Sequence, residues 1–257
     1  LTKFLDAVME EFIEKTEGVP GMERAIQVAK RHRAIGIGVL GWHSYMQSKM
    51  IPWNSTDAMM ENNEVFSTIK EKSYQASAEL AESLGEPEVL EGYGRRNTTT
   101  MAVAPTKSSS IIHGQVSPSV EPLKSNYFVR DGAKLKVTQR NRFLESILED
   151  KDKNTRDVWD SIKAKDGSVQ HLDFLTDHEK EVFLSFKEIP QMAIIKQAAQ
   201  RQQYIDQAQS INMEIDPSET EVSEINQLYI EAWRSGLKSL YYQKSVNAAQ
   251  QFSQDIL

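Results

Sequence analysis

The sequence of 257 residues predicts an α/β fold that is rich in helix. Short β-branched or apolar runs are typical of buried strands, and they alternate along the chain with longer stretches in which apolar residues recur at helical spacing. A composition of 39% hydrophobic and 26% charged residues is ordinary for a globular protein. We expect a single partial domain over 1–257, because no internal repeat or low-complexity linker divides the chain.

The N-terminal third is predicted to be mostly helical. Apolar residues on one face indicate an amphipathic helix over 1–17, and 22–33 resumes helical composition with a basic end that suits a helix C-terminus. A long helix is expected over 56–84, ended by Gly85 and Pro87.

Three glycines in and after the apolar run 35–40 match the letters of a dinucleotide-binding motif, GxGxxG, at Gly36, Gly38 and Gly41. That motif requires a strand before its first glycine, whereas a basic helical segment precedes it here. We therefore expect these glycines to allow close packing of a strand or turn.

A polar loop follows a predicted buried strand at Thr98 to Val103, and Pro105 ends the strand because it has no N–H to donate. The residues proposed to bind phosphate are Pro105, Thr106, Lys107, Ser108 and Ser109. Hydroxyls, an ammonium group and the N–H groups of a tight turn are the donors that phosphate oxygens require. A polar surface loop is the alternative.

The second half alternates predicted strands and helices. Segments 127–129 and 134–137 predict a hairpin with a turn at Asp131 and Gly132, and 141–210 is expected to be a helical excursion. Within it we expect short surface helices before His171, a capping box at Thr176 and Glu179, and a helix from Pro190 to about Asp206 whose inner face carries Met192, Ile195, Ala199 and Tyr204. A strand at 211–215, a helix from Asp216 to Gly236 and a buried strand at 237–242 follow.

Composition excludes several kinds of function. The net charge of −7 argues against a nucleic-acid-binding surface, and without a membrane-length apolar run or a signal peptide we expect a cytoplasmic protein. Zero cysteines exclude disulfides, thiolate metal sites and sulfur-based catalysis within this chain. The five histidines form no ligand pair on one helical turn, so no metal site is expected.

Two motifs far apart in the sequence together resemble the large catalytic subunit of class I ribonucleotide reductase. They are PTKSSS after MAVA, at 105–110, and LYYQ after GLKS, at 240–243. RHRAIGIGVLGWHSYM at 31–46 and YIDQAQSIN at 204–212 are similar to the same family, in the same order. The resemblance covers nearly the whole chain and indicates the C-terminal half of that subunit.

The resemblance implies a fold and two groups of functional residues. The fold is the second half of a ten-stranded α/β barrel with outer helices. Pro105 to Ser109 would bind the diphosphate of a ribonucleoside diphosphate, and Tyr241 and Tyr242 would carry a radical toward an active-site cysteine. Tyrosine is one of the few side chains able to lose an electron and a proton together. Adjacent tyrosines in a strand are otherwise usually packing residues, one facing each way.

The resemblance also implies partners, since the family's cysteines are absent here. We expect an oligomer in which another chain, the N-terminal part of the large subunit, supplies them, so that this chain is one part of a split or truncated subunit and inactive alone. A small subunit would generate the radical with its metal-based cofactor and could dock on the helix at 219–235. A thiol would supply the electrons for reducing ribonucleotides to the deoxyribonucleotides needed for DNA synthesis. This chain would bind no cofactor itself. The alternatives are a non-catalytic nucleotide-phosphate-binding or assembly module derived from a reductase, and a helical scaffold.

Overall fold

The computed structural model describes residues 1–131, 136–216 and 220–245. The helices in these ranges are α1 (Thr2–Thr16), α2 (Glu23–His32), α3 (Trp42–Ser48), α4 (Thr56–Leu84), α5 (Ser109–Ile112), α6 (Arg142–Asp150), α7 (Arg156–Ala164), α8 (Asp177–Val182), α9 (Gln191–Gln202), α10 (Val222–Arg234) and a short 3-10 turn at Glu88–Leu90. The strands are β1 (Tyr127–Asp131), β2 (Lys136–Arg140), β3 (Met213–Ile215) and β4 (Gln243–Ser245).

Four extended segments lie side by side and run parallel to one another. We call 35–38, 99–104, 207–215 and 241–245 the first to fourth parallel segments. The first pairs with the second at Ile37 and Met101, the second with the third at Val103 and Gln209, and the third with the fourth through β3 and β4. Chain order and spatial order are therefore the same, as in a sheet built from repeated crossovers.

Backbone hydrogen bonds continue this pairing beyond the short strands. Ile37 N–H donates to the Thr100 carbonyl at 2.7 Å, Ser210 N–H to Val103 at 2.9 Å, and Tyr241 N–H to Ile211 at 2.7 Å. The described residues form no closed sheet, so the expected ten-stranded barrel is not confirmed, whereas a helix-rich fold with parallel strand pairing is.

The main apolar core packs Met101, Val103 and Ile211 of the parallel segments against α3, α4 and α9. Its largest fully buried members are Trp53, Phe66, Phe186, Met46 and Met101. A second core forms around α6, α7 and α8, from Leu144, Leu148, Trp159, Ile162, Val182 and Phe183. Before His171 the chain forms two short amphipathic helices, α6 and α7, as expected, and each buries one apolar face in this second core.

The glycines of the GxGxxG sequence are explained by close packing, as expected. A Cβ atom on Gly36 would lie 2.8 Å from the Cβ of Ala102, and one on Gly38 would lie 2.5 Å from the Ala102 carbonyl oxygen. The first and second parallel segments can approach this closely only because neither position carries a side chain.

Several predicted boundaries were wrong. The hairpin pairs Tyr127 with Arg140, so its second strand runs to Arg140 and not only to 137. Gly132 of the expected turn and the predicted strand start at 134–135 lie outside the described residues. The helix expected from Asp216 begins at Val222. The strand at 211–215 is shorter and buried on both faces. The fourth segment becomes a regular strand only at Gln243.

The inner face of α9 also differs from the prediction. The helix ends at Gln202, and its buried residues are Ala193, Ile194, Ile195, Gln197, Ala198, Arg201 and Gln202. Of the expected face, only Ile195 is fully buried. Gln197 can be buried because it accepts a hydrogen bond from the Trp42 indole at 2.9 Å and donates to the Trp53 carbonyl at 2.8 Å.

None of the described helices combines the length and the apolar character needed to span a lipid bilayer.

Candidate functional site

The loop from Pro105 to Ser109 lies at the carboxyl end of the second parallel segment, and α5 begins within it. Thr106 has a backbone φ of 42°, in the left-handed region. The Ser110 N–H donates to the Thr106 carbonyl at 3.0 Å and closes the turn. The chain therefore turns sharply directly after Pro105, as predicted from the sequence.

The loop hydroxyls have different roles. The Thr106 Oγ1 accepts a hydrogen bond from the Ser119 N–H at 2.7 Å, and Ser110 is buried with its hydroxyl on the Lys107 carbonyl at 3.2 Å. Lys107 and Ser108 are exposed. Within the described ranges, the backbone N–H groups of Lys107, Ser108 and Ser109 have no acceptor. Donors at the tip of the loop are thus free for an anion, while Thr106 and Ser110 shape the turn.

The tyrosine pair lies at the start of the fourth parallel segment. The ring centroids of Tyr241 and Tyr242 are 4.1 Å apart with the planes inclined by 51°, and the two residues are 48% and 58% exposed. The neighbouring Tyr242 phenol raises the pKa of Tyr241. The expectation of a buried strand at 237–242 was therefore wrong, because none of these residues is buried and β4 begins only at Gln243. The two rings contact each other and also reach solvent.

The third parallel segment fixes the backbone of this pair. Besides the Tyr241 bond to Ile211, the Met213 N–H donates to the Tyr242 carbonyl at 3.0 Å. The Tyr242 N–H donates to the Asn212 Oδ1 at 3.0 Å. The backbone N–H and the carbonyl group of Tyr242 are thus both hydrogen-bonded to the third parallel segment.

The loop and the tyrosine pair lie two segments apart. The third parallel segment separates them, bonded to Val103 on one side and to Tyr241 on the other. The loop follows the carboxyl end of the second segment, whereas the tyrosine pair lies at the start of the fourth. The predicted phosphate loop and the tyrosine pair therefore lie on the second and fourth of four adjacent parallel segments, and they do not contact each other.

Sequence reasoning missed a polar cluster beside the tyrosine pair, formed by the buried Glu121 and Asn212 and the partly exposed Lys244. Asn212 donates to Glu121, and Lys244 Nζ lies 3.1 Å from the Glu121 Oε2. Asn212 lies inside the YIDQAQSIN motif, but nothing in the sequence around Glu121 distinguishes it from a surface acid.

A separate cleft of about 270 Å³ lies between the end of α5 and the hairpin. Its walls include Ser44, Gln115, Leu123, Phe128 and Arg142. It contains none of the residues predicted to bind phosphate or carry a radical. Among the described residues, no group of three His, Asp or Glu side chains is placed to hold a metal ion.

Comparison with known proteins identifies a family for this arrangement. The family model described as "Ribonucleotide reductase, barrel domain" matches residues 1–93 and 87–243. Among solved structures, the chain is similar to the class Id ribonucleotide reductase alpha subunit of Actinobacillus ureae, with a TM-score of 0.91 and 56% sequence identity. That similarity covers 96% of this chain and 46% of the other.

Curated relatives cover a similar share of the chain. The chain is 43% identical over 251 residues to the ribonucleoside-diphosphate reductase large subunit of Invertebrate iridescent virus 6. The matched region covers 96% of this chain and 26% of the viral protein. The chain is 42% identical to the large subunit of Invertebrate iridescent virus 3, over 94% of this chain and 38% of that protein. The chain therefore spans less than half the length of the proteins that it matches here.

Proposed function

We propose, from the premise that this chain belongs to the ribonucleotide reductase barrel-domain family, that it contributes a substrate-phosphate loop and a tyrosine relay to a ribonucleoside-diphosphate reductase. The family expected from the PTKSSS and LYYQ motifs is confirmed, and it is that of the C-terminal half of the large subunit. The reaction would reduce ribonucleotides to deoxyribonucleotides. The observation that carries this proposal is the contact between the Tyr241 and Tyr242 rings at 4.1 Å.

The phosphate loop would bind the diphosphate of the substrate. The Lys107 ammonium, the Ser108 and Ser109 hydroxyls and the backbone N–H groups of 107–109 are donors without competing acceptors in the described ranges, apart from a weak bond of Ser109 to the Thr106 carbonyl at 3.4 Å. Charge-assisted hydrogen bonds to phosphate are about twice as strong as neutral ones. Pro105 and Thr106 would set the direction of the loop.

The tyrosine pair would pass an oxidising equivalent between its phenols. A tyrosyl radical on one ring takes an electron and a proton from the neighbouring phenol, so that the first becomes tyrosine again and the second becomes the radical. The short separation between the two rings supports this exchange. The last phenol would then take a hydrogen atom from a cysteine thiol. That thiol must come from elsewhere, because this chain has no cysteine.

The remaining partners follow from the family. A small subunit would supply the radical from its metal-based cofactor, and a thiol would supply the electrons for reduction. We expect the small subunit to dock at α10, whose residues Val222, Tyr229, Ile230 and Trp233 are exposed at 82%, 41%, 38% and 76%. A row of exposed large apolar side chains on one helix is typical of an interaction surface.

The test is a reductase assay with ribonucleoside diphosphate, using this sequence together with the cysteine-bearing part, the small subunit and a thiol reductant. We expect Tyr241→Phe and Tyr242→Phe each to abolish turnover without changing the melting temperature, because phenylalanine keeps the ring but cannot lose a phenolic proton. Tyr93→Phe is the matched control, since Tyr93 is an exposed tyrosine outside the site. Normal turnover by either variant would rule out the relay.

The same assay distinguishes the proposed reductase function from the alternative of a non-catalytic phosphate-binding module. Such a module would need the donors of the loop but would have no use for two phenols in contact. Nucleotide binding without turnover in the complete, folded assembly would favour the module.

A further inference from the structure

A buried polar cluster lies directly behind the tyrosine pair. Glu121 is 4% exposed and Asn212 is fully buried. The Asn212 Nδ2 donates to the Glu121 Oε1, and the Lys244 Nζ donates to the Glu121 Oε2 at 3.1 Å. Lys244 also lies 5.1 Å from the centre of the Phe186 ring. The carboxylate is therefore desolvated, and one ammonium group and one amide satisfy its two oxygens.

The carboxylate fixes which way the Asn212 amide points. A carboxylate only accepts hydrogen bonds, so the side-chain NH₂ of Asn212 must face Glu121, and its oxygen must face the other way. That oxygen accepts the hydrogen bond from the Tyr242 N–H at 3.0 Å. The charge on Glu121 thus determines whether Tyr242 finds an acceptor for its backbone N–H.

The other end of the cluster leads to the phosphate loop. The Glu121 N–H donates to the Pro118 carbonyl at 2.9 Å, which forms a tight turn around Ser119. The Ser119 N–H donates to the Thr106 Oγ1 at 2.7 Å. A short series of hydrogen bonds therefore runs from Thr106 through the 118–121 turn, Glu121 and Asn212 to the backbone of Tyr242.

We infer that Glu121 is a positioning residue that holds the Tyr242 backbone, through Asn212, at a fixed place relative to the phosphate loop, with Lys244 neutralising its buried charge. This inference rests on the proposed function, because it assigns the cluster to the placement of the relay. Glu121 touches neither phenol in this arrangement; it acts through the Asn212 amide.

The first test measures the backbone directly and requires no turnover. Hydrogen exchange at the Tyr242 amide, followed by mass spectrometry of the protein that carries this sequence, should be at least tenfold faster in Glu121→Ala and Asn212→Ala than in the unmodified protein. Exchange in the core of α4, which forms no hydrogen bond with Glu121 or Asn212, should be unchanged and reports that each variant is folded. Unchanged exchange at Tyr242 in folded Glu121→Ala would overturn the inference.

The second test separates positioning from general stability. In the reductase assay, Lys244→Met should lower kcat about tenfold, with KM for the ribonucleoside diphosphate changed less than twofold, whereas Lys244→Arg, which keeps the positive charge, should restore kcat to within twofold. Lys244 is 28% exposed at its side chain, so these variants are expected to fold. An unchanged kcat in Lys244→Met, or an equal loss in Lys244→Arg, contradicts the role given to the charge.

The two proposals fail in different ways. A fully active Tyr242→Phe variant would rule out the tyrosine relay. Faster amide exchange at Tyr242 in Glu121→Ala would still show that the cluster holds the Tyr242 backbone. Conversely, an inactive Tyr242→Phe variant together with unchanged amide exchange at Tyr242 in Glu121→Ala would support the relay and rule out the positioning role of Glu121.

Discussion

The carboxylate of Asp206 accepts a hydrogen bond from the backbone N–H of Thr100 at 2.7 Å. The same carboxylate accepts the N–H of Met101 at 3.0 Å and the hydroxyl of Tyr74 at 2.7 Å, and it forms an ion pair with Lys70. One half-buried side chain therefore joins α4, the second parallel segment and the start of the third.

Replacing this carboxylate should destabilise the protein. We expect Asp206→Ala to lower the free energy of unfolding by about 3 kcal/mol, because two backbone N–H groups and the Lys70 ammonium lose their acceptor. Urea denaturation followed by circular dichroism measures the change. Lys72→Ala is the control, because its ion pair with Glu71 is exposed, and such pairs contribute at most about 1 kcal/mol. Equal effects of the two substitutions would contradict this account.

The contribution of Asp206 should disappear in acid. Burial alone would raise the pKa of Asp206, but hydrogen bonds from Lys70, Tyr74 and Thr100 outweigh it and hold the pKa at about 2, below the ordinary 3.8. A depressed carboxylate pKa stabilises the folded state fully above 3.8, and this stabilisation is lost as the pH falls toward 2. The difference in unfolding free energy between the unmodified protein and Asp206→Ala should therefore narrow over that range.

The buried His43 should make stability fall at moderately low pH. Burial lowers the pKa of His43 from 6.5 to about 3, and the His43 Nδ1 accepts the Leu123 N–H at 2.9 Å, which requires an unprotonated nitrogen. Between these two values the unfolded chain binds a proton that the folded chain does not. Stability should fall with decreasing pH by up to about 1.4 kcal/mol per unit from this group.

His43→Gln removes the titrating group and should flatten this pH dependence between 6.5 and 4.5, whatever its effect on stability at pH 7. Melting temperatures over the same range measure the slope. The control is His178→Gln, because His178 is exposed. A slope unchanged in His43→Gln would assign the effect to other groups.

A second substitution, Ala102→Gly, should restore the stability lost at one glycine of the first parallel segment but not at the other. Gly36→Ala and Gly38→Ala should each cost about 1–3 kcal/mol, as overpacking does. A Cβ on Gly36 meets the Ala102 side chain, whereas one on Gly38 meets the Ala102 backbone oxygen. Ala102→Gly should therefore restore most of the stability lost in Gly36→Ala and little of that lost in Gly38→Ala. Double-mutant cycles in urea measure both couplings, and equal rescue would contradict the contacts.

The Thr106 hydroxyl should matter for substrate affinity, if the proposed function holds. Thr106→Val keeps the β-branched shape but leaves the Ser119 N–H without its acceptor, whereas Thr106→Ser keeps the hydroxyl. A neutral hydrogen bond contributes about 1 kcal/mol, so KM for the ribonucleoside diphosphate should rise about fivefold in Thr106→Val and less than twofold in Thr106→Ser. Steady-state kinetics measure this, and a larger effect in the serine variant would exclude the shaping role.

Local sequence signals predicted α4 and the start of α8 well, because their boundaries depend on neighbouring residues. The helix expected over 56–84 is α4, and the Ser55 hydroxyl accepts the Ala58 N–H at its start. The capping box of Thr176 and Glu179 is present at α8. Such caps require only residues three positions apart.

Buried polar residues were not predictable in the same way. Glu121 and Asn212 are 91 positions apart, and Gln197 meets Trp42 across 155 positions. A buried Glu or Gln has the same sequence signature as an exposed one until its partner is known. The same reason explains the wrong inner face of α9 and the unexpected exposure of Tyr241, whose surroundings are set by segments far away in the chain.

The order of the parallel segments has a consequence for how the protein folds. Neighbouring segments are joined by contacts that span 64, 106 and 30 positions in the chain, as at Thr99 with Ile35, Thr100 with Asp206, and Tyr242 with Asn212. Pairings of such high contact order close large loops before they gain any stabilisation, so they form slowly. The helices can form early from local contacts, and the tyrosine pair meets its neighbouring segment only when the last crossover is in place. Pulse-labelled amide exchange should therefore protect α4 before Tyr242, and the reverse order would contradict this folding sequence.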